Sequence, residues 1–200
     1  MTSLKKLSRF AAPLAIAALA AASNNAVAGL KNLGFEVKLE TKEFITLPNQ
    51  PNGVVCPAGV PVAGITSGVG TITIKSGKTL YSGPVFINAT DCAIPGATSF
   101  QFLNGNMTLT LTNSTRDTMT ATYSGSFLQS APSSTTYYIN SGSLAITGGT
   151  GVFDGASGTA TLSGTETIVE GAPSFSGVMN AKGAISFSKA TFEQLYGQGN

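Results

Sequence analysis

Few side chains in this sequence could carry out acid–base or nucleophilic chemistry. The chain has no histidine and only two cysteines, which excludes Ser-His-Asp and Cys-His mechanisms. Its 9 acidic residues are spread thinly, and a metal site would have to consist of oxygen ligands alone. We therefore predict no catalytic residue, no metal site and no cofactor, and we favour a non-enzymatic protein over an enzyme.

Two pairs of glutamates have the even sequence spacing that places both members on one face of a strand. Glu36 and Glu40 lie on the opposite parity to the apolar residues around them, and Glu43 lies at the end of the same segment or just past it. This pattern indicates a solvated face rather than a general acid/base pair. Glu166 and Glu170 also share a parity, and either could line a cavity or face water.

Tyrosines are the other candidates for ligand contact, because a tyrosine ring can stack while its hydroxyl donates a hydrogen bond. We select Tyr81, Tyr123 and Tyr137 as candidate ligand-binding residues, together with Glu166. Packing within a core is the alternative role for each ring. Tyr137 and Tyr138 are adjacent, so in a strand only one of them can point inward.

Apolar and polar residues alternate with a period of two through most of the chain. Phe35, Val37 and Leu39 alternate with charged residues, and residues 107–112 alternate with threonine. Further strands are predicted at residues 71–74, 85–87, 119–123, 137–139, 144–147, 159–163, 165–169, 174–179 and 184–188. Short β-branched segments separated by Gly, Asn and Ser indicate one antiparallel all-β domain, either a barrel or a β-sandwich.

Two segments read as loops that a disulfide could join. Residues 47–68 are rich in proline and contain Cys56, and residues 88–96 contain Cys92, beside which Asp91 is expected to make a turn or a loop hydrogen bond. In an exported chain two cysteines most simply form one disulfide. Two free buried thiols are the alternative.

The first 28 residues have the layout of a secretory leader. Basic residues at Lys5, Lys6 and Arg9 precede an apolar run over residues 10–22, and Ala-Val-Ala at 26–28 matches a signal-peptidase site. The apolar run is short of the roughly 20 residues that cross a bilayer, so no integral membrane segment is expected after cleavage behind Ala28. The mature domain, residues 29–200, is predicted to be bacterial and periplasmic or secreted.

Leader removal also changes the charge of the chain. It takes away three of the 11 basic residues and none of the 9 acidic ones, which leaves a net charge of −1. A protein without a basic surface has no electrostatic basis for binding nucleic acid, and we predict no nucleic-acid partner.

Residues 146–158 form the most distinctive run of the sequence, a strand followed by a glycine-dense turn and a second strand. Phe153 stands among small residues, as expected of a ring that fills a tight part of a core. No Lys-Ser/Thr pair follows, so a phosphate-binding loop is not indicated. The glycines of the run are Gly148, Gly149, Gly151, Gly155 and Gly158.

This run resembles the GGTGxFxGAxG signature of the allene oxide cyclase and dirigent-like barrel superfamily, which includes a branch of exported bacterial proteins. The resemblance implies a single eight-stranded antiparallel barrel with a central cavity. It also implies that the motif is a structural corner rather than a catalytic centre. The polar and acidic interior residues of the plant members have no match that we can identify in this sequence.

Three functions remain open. We favour an exported, non-enzymatic barrel that binds a small apolar ligand, a glycan or a partner protein. The second is an extracellular matrix or fibre subunit that self-associates, for which an unpaired edge or a detachable strand at residues 34–41 would be evidence. The third is a cofactor-free cyclase or isomerase, which requires a buried acid in the cavity, with Glu166 and Glu170 as first candidates.

Overall fold

The computed structural model describes residues 30–132 and 134–188, which form one antiparallel sheet closed into a barrel. Each strand pairs with the next, and β8 pairs with β1. The predicted eight-stranded barrel is confirmed, and the β-sandwich alternative is wrong because all the strands belong to one closed sheet. The strands are β1 (Leu33–Thr46), β2 (Val62–Ser76), β3 (Lys78–Pro95), β4 (Ser99–Leu111), β5 (Thr118–Gln129), β6 (Thr136–Gly149), β7 (Ser157–Ile168) and β8 (Ser174–Ser186), with a 3₁₀ turn (Gly151–Phe153) between β6 and β7.

Alternate residues of each strand point into the barrel and form its apolar core. On β1, Phe35, Val37 and Leu39 are buried, whereas Glu36 and Glu40 lie on the outer face, as predicted. Removing an aliphatic or aromatic side chain of this size from water stabilises the fold by about 1.5–3 kcal/mol. The alternation is therefore what holds the sheet around its interior.

Parts of the two segments predicted as loops belong instead to strands. Residues 62–68 begin β2 and residues 88–95 end β3, so Cys92 lies in a strand and the real β1–β2 loop spans residues 47–61. Glycine, asparagine and proline suggested turns there. In β2, however, glycine lies where a neighbouring strand comes too close for a Cβ, which at Gly70 would overlap the carbonyl of Lys38.

Three pairs of short predicted strands are single long strands. Residues 137–139 and 144–147 both belong to β6, and the predicted segments within 159–169 and 174–188 merge into β7 and β8. Between β6 and β7 the glycine and serine accompany an irregular register rather than turns, because the pairing shifts between Tyr138 and Ser143, whereas β8 pairs regularly with both of its neighbours. Bulges of this kind bend a strand without ending it.

The glycine-rich turn between β6 and β7 closes one end of the barrel. Gly151 and Gly155 have φ angles of 60° and 69°, a region that glycine adopts without steric cost. A Cβ at Gly151 would overlap the carboxylate of Asp117, which lies in the turn between β4 and β5. The turn directs Phe153 into the core, where it is fully buried with its ring centroid 5.8 Å from that of Phe187.

Cys56 and Cys92 form a disulfide, as predicted. It lies on the outer side of the barrel wall, where the β1–β2 loop folds over Cys92 and its cross-strand neighbour Ala63. Val60 completes this second apolar cluster. A disulfide fits an extracellular or periplasmic protein.

The predicted leader, residues 1–28, lies outside the described residues. In the part of the chain that the structure does describe, no helix has the length and apolar composition that a membrane crossing requires.

Replacing Phe153 by alanine should lower the free energy of unfolding by about 3–5 kcal/mol, because it removes a fully buried ring and leaves a cavity. Phe86, which is 45% exposed on the outer face, provides the matched control. Phe86→Ala should change stability by less than about 1 kcal/mol. Urea unfolding followed by circular dichroism measures both, and equal losses would contradict a closing role for Phe153.

Candidate functional site

A cavity of about 260 Å³ lies at the barrel end opposite the β6–β7 turn, where odd-numbered strands end and even-numbered strands begin. Most of its wall is apolar. Its aromatic residues are Phe100, Phe102, Phe127, Tyr137 and Phe175. Its other apolar residues are Ile45, Val62, Ala93, Ile168, Ala172 and Pro173. A concave, mainly apolar site with few polar groups is the usual form of a small-molecule site.

Four ionisable side chains lie at the inner end of this cavity, one from each odd-numbered strand. They are Glu43 on β1, Asp91 on β3, Tyr123 on β5 and Glu166 on β7, exposed by 8%, 6%, 9% and 4% respectively. The three carboxyl-bearing residues line the cavity itself, and they also line a smaller, deeper pocket together with Tyr123. The site is thus an acidic cluster under an apolar entrance.

Hydrogen bonds divide the cluster into two pairs. Tyr123 donates from its hydroxyl to Asp91 Oδ2 at 2.9 Å. Glu43 and Glu166 are hydrogen-bonded to each other. Asp91 Oδ1 is buried and has no hydrogen-bond partner among the described residues.

Burial is the main cause that raises the pKa of every group in the cluster, because an apolar surrounding disfavours the charged form. For Glu43 the charges of Glu166 and Asp91 add to burial, and its pKa lies well above the ordinary value. The pKa of Glu166 is raised to about 7, with the hydrogen bond from Glu43 opposing the increase. Both carboxyl groups of this pair therefore hold protons to a higher pH than exposed glutamates do.

The pKa values of Asp91 and Tyr123, the other pair, are raised for the same reason. Burial raises the pKa of Asp91, and the hydrogen bond that it accepts from Tyr123 partly offsets the increase. Burial and the neighbouring charge of Asp91 raise the pKa of Tyr123 well above its ordinary value. Tyr123 is accordingly a hydrogen-bond donor at all ordinary pH values.

Two glycines on even-numbered strands make room for the acids. Gly64 on β2 lies between Glu43 and Asp91: a Cβ there would overlap Glu43 Oε1 and lie 2.8 Å from Asp91 Oδ1. Gly177 on β8 faces Glu166, whose Cγ would lie 2.6 Å from a Cβ at that position. The carboxyl groups approach one another across strands that present no side chain.

Three aromatic rings pack edge to face at the entrance. The ring centroids of Phe100 and Tyr137 are 5.1 Å apart, and Phe175 lies 6.1 Å from Phe100 and 6.3 Å from Tyr137. Interplanar angles of 68° to 82° give the arrangement that ring quadrupoles favour. Such packing holds the entrance in one shape.

The structure brings together three of the four residues selected from the sequence as ligand contacts. Glu166 and Tyr137 line the cavity and Tyr123 lies just inside it. Tyr81 does not join them, because it lies near the start of β3, at the closed end, and packs partly buried against the core. Tyr138, beside Tyr137, is 39% exposed on the outer face.

Sequence reasoning missed two members of the cluster. Glu43 was grouped with the solvated glutamates, although it shares its parity with Phe35, Val37 and Leu39 and is buried. The sequence predicts a turn or a loop hydrogen bond for Asp91, but this residue continues the inward series of β3 and is buried. In both cases the alternation of inward and outward residues predicts a buried side chain, provided that the predicted strand is extended to the end that the structure shows.

Two further findings bear on what the site is. No set of three or more His, Cys, Asp or Glu side chains in the described ranges is arranged to hold a metal ion. Comparison with protein-family models, curated proteins and solved structures gives no match for the chain.

The cluster should make the protein less stable as pH rises. The pKa of Glu166 is about 7 in the folded protein against an ordinary value of 4.5, so between these values the unfolded chain has lost a proton that the folded protein keeps. Stability is then fully present below about pH 4.5 and is lost through pH 7, by about 3 kcal/mol for this group. Glu43 and Asp91 act in the same direction.

Urea unfolding at about pH 5 and about pH 8 measures this difference. Glu166→Gln should remove much of it, whereas Glu40→Gln, on the exposed face of β1, should leave it unchanged. A wild-type protein that is equally stable or more stable at the higher pH would contradict the described burial of the carboxyl groups.

Proposed function

We propose that this protein binds a small, mainly apolar molecule inside the open end of its barrel. The observation that carries the proposal is the cavity of about 260 Å³, whose wall is aromatic and aliphatic apart from Ser174 and the acidic inner end. Ligand sites usually measure about 300–1,000 Å³, so the molecule is small. The edge-to-face rings at the entrance favour a preformed site.

We further propose that the chain is exported, with a leader cleaved behind Ala28, to the periplasm or the outside of a bacterial cell. The leader pattern and the Cys56–Cys92 disulfide support this location. Membership of the allene oxide cyclase and dirigent-like superfamily is likewise a proposal. The motif resemblance supports it, and the closed eight-stranded barrel is compatible with it.

Glycan binding and assembly into a fibre have weaker support. A glycan site needs many hydrogen-bonding groups, and the cavity wall offers few. Assembly by strand exchange needs an open edge, whereas β1 pairs with β2 on one side and β8 on the other along nearly its whole length. Among the described strands none presents a free edge.

Filling the cavity should weaken binding. Ala93 is buried and lines the cavity, so Ala93→Phe should weaken the binding of 2-phenylethanol by about tenfold or more. Val69→Phe, on the outer face, is the control and should bind as the wild type does. Saturation-transfer NMR measures the affinity, and native mass spectrometry of the non-reduced protein identifies any co-purified ligand. Binding that survives in Ala93→Phe would place the ligand elsewhere.

A cofactor-free isomerase or cyclase is the second candidate. The observation in its favour is the Glu43–Glu166 pair, in which one carboxyl group holds a proton near neutral pH and the other, with a pKa of about 7, can accept one. A general acid and a general base side by side in an apolar cavity can move a proton within a bound molecule.

Turnover by this pair would convert a ligand into a product of equal mass. Glu166→Gln should lower its rate by about a hundredfold or more, while the ligand still binds in the cavity. Chromatography of the ligand after incubation measures conversion. A bound ligand that is recovered unchanged from the wild type would exclude this activity for that ligand.

A further inference from the structure

A second pocket, of about 20 Å³, lies on the inner side of the cavity and shares five lining residues with it. This pocket is bounded by the same three carboxyl-bearing residues and by Tyr123 and Met107. A volume of this size holds one water-sized group. An ammonium group has that size, and a larger polar group does not fit.

Asp91 presents an unsatisfied acceptor at this point. The residue is 6% exposed, its Oδ2 accepts from Tyr123, and its Oδ1 has no hydrogen-bond partner among the described residues. Thr41 Oγ1 and Asn180 Oδ1 are also buried without partners, but neither residue lines the cavity or the inner pocket. A buried acceptor without a donor is costly, and a donor on a ligand would satisfy it.

The electrostatics of the cavity favour a donor that carries positive charge. The ionisable groups that line the cavity and the inner pocket are Glu43 on β1, Asp91 on β3, Tyr123 on β5, Tyr137 on β6 and Glu166 on β7, and all of them are acids. Strands β2, β4 and β8 contribute none, and no lysine or arginine is among the described lining residues. A cation would offset both the burial and the mutual repulsion of the carboxylates.

Aromatic rings stand beside the glutamates on the same face of the sheet. Phe175 on β8 pairs across the strands with Glu43, and Tyr137 on β6 pairs with Glu166. Ring faces attract ammonium groups as well as apolar carbon. A site in which carboxylates lie beside aromatic rings therefore suits a molecule with a positively charged nitrogen and an apolar body.

We propose that the cavity binds a small apolar amine as its cation, with the ammonium group among Glu43, Asp91 and Glu166 and the apolar body between the rings. This inference rests on the proposed function, because it takes the cavity to be the ligand site. It adds the charge and the donor that the ligand must carry.

Three matched probes test the charge. We would titrate the full-length protein, with its disulfide intact, with 2-phenylethylamine, 2-phenylethanol and 3-phenylpropionate, using calorimetry at about pH 8. The amine should bind about tenfold or more tightly than the alcohol, and the carboxylate should bind more weakly than either. Asp91→Asn should reduce the amine-to-alcohol ratio to about threefold or less, and Glu40→Gln should leave it unchanged.

A second measurement needs no variant and covers the case in which Asp91→Asn fails to fold. Binding of a cation lowers the pKa of the carboxyl groups around it, so the amine should release protons from the protein near neutral pH. Calorimetry in two buffers of different ionisation enthalpy counts these protons. Amine affinity should also fall by about tenfold between about pH 8 and about pH 5.5, whereas alcohol affinity should not.

The outcomes separate this inference from the function on which it rests. If the alcohol binds as tightly as the amine, or if the amine releases no protons, the amine inference is wrong and cavity binding stands. If none of the probes binds, both are wrong. Preference for the amine together with proton release supports both.

Discussion

The pairing of β1 with β8 joins the two ends of the described chain into one sheet, and the barrel has an interior only because of it. The paired residues run from Leu33↔Ile185 to Phe44↔Ser174. This closure satisfies edges that would otherwise be open to other chains. It also places Glu43 and Glu166 on the two strands that flank β8, close enough to share a hydrogen bond across Gly177.

The interior of the barrel differs in polarity between its two ends. At one end Phe153 and its neighbours fill the interior, and the packing there is continuous with the apolar core. At the other end the interior contains carboxyl groups without a basic partner among the described lining residues, which disfavours folding in their ionised form. The well-packed core at the other end offsets this cost.

Much of the fold could be predicted from the sequence, and less of the site. Alternation identified the strands because one face of each is buried, and the barrel was implied by the resemblance of the glycine-rich run around Phe153 to a known family of barrels. Glycine was ambiguous elsewhere: at Gly64 and Gly177 it makes room for carboxyl groups, and no local pattern separates that use from a turn. Glu43 and Asp91 lie far apart in sequence and meet across β2, so their contact depends on the register of the β1–β2 and β2–β3 pairings, which no local pattern reveals.

The disulfide has one consequence beyond stability. Successive residues of a strand point to opposite faces, so Cys92 points outward into the loop cluster while Asp91 points inward to the cavity. A single peptide unit links a covalent crosslink to the residue with the unsatisfied acceptor. The disulfide thus anchors the β1–β2 loop to the barrel wall directly behind that residue.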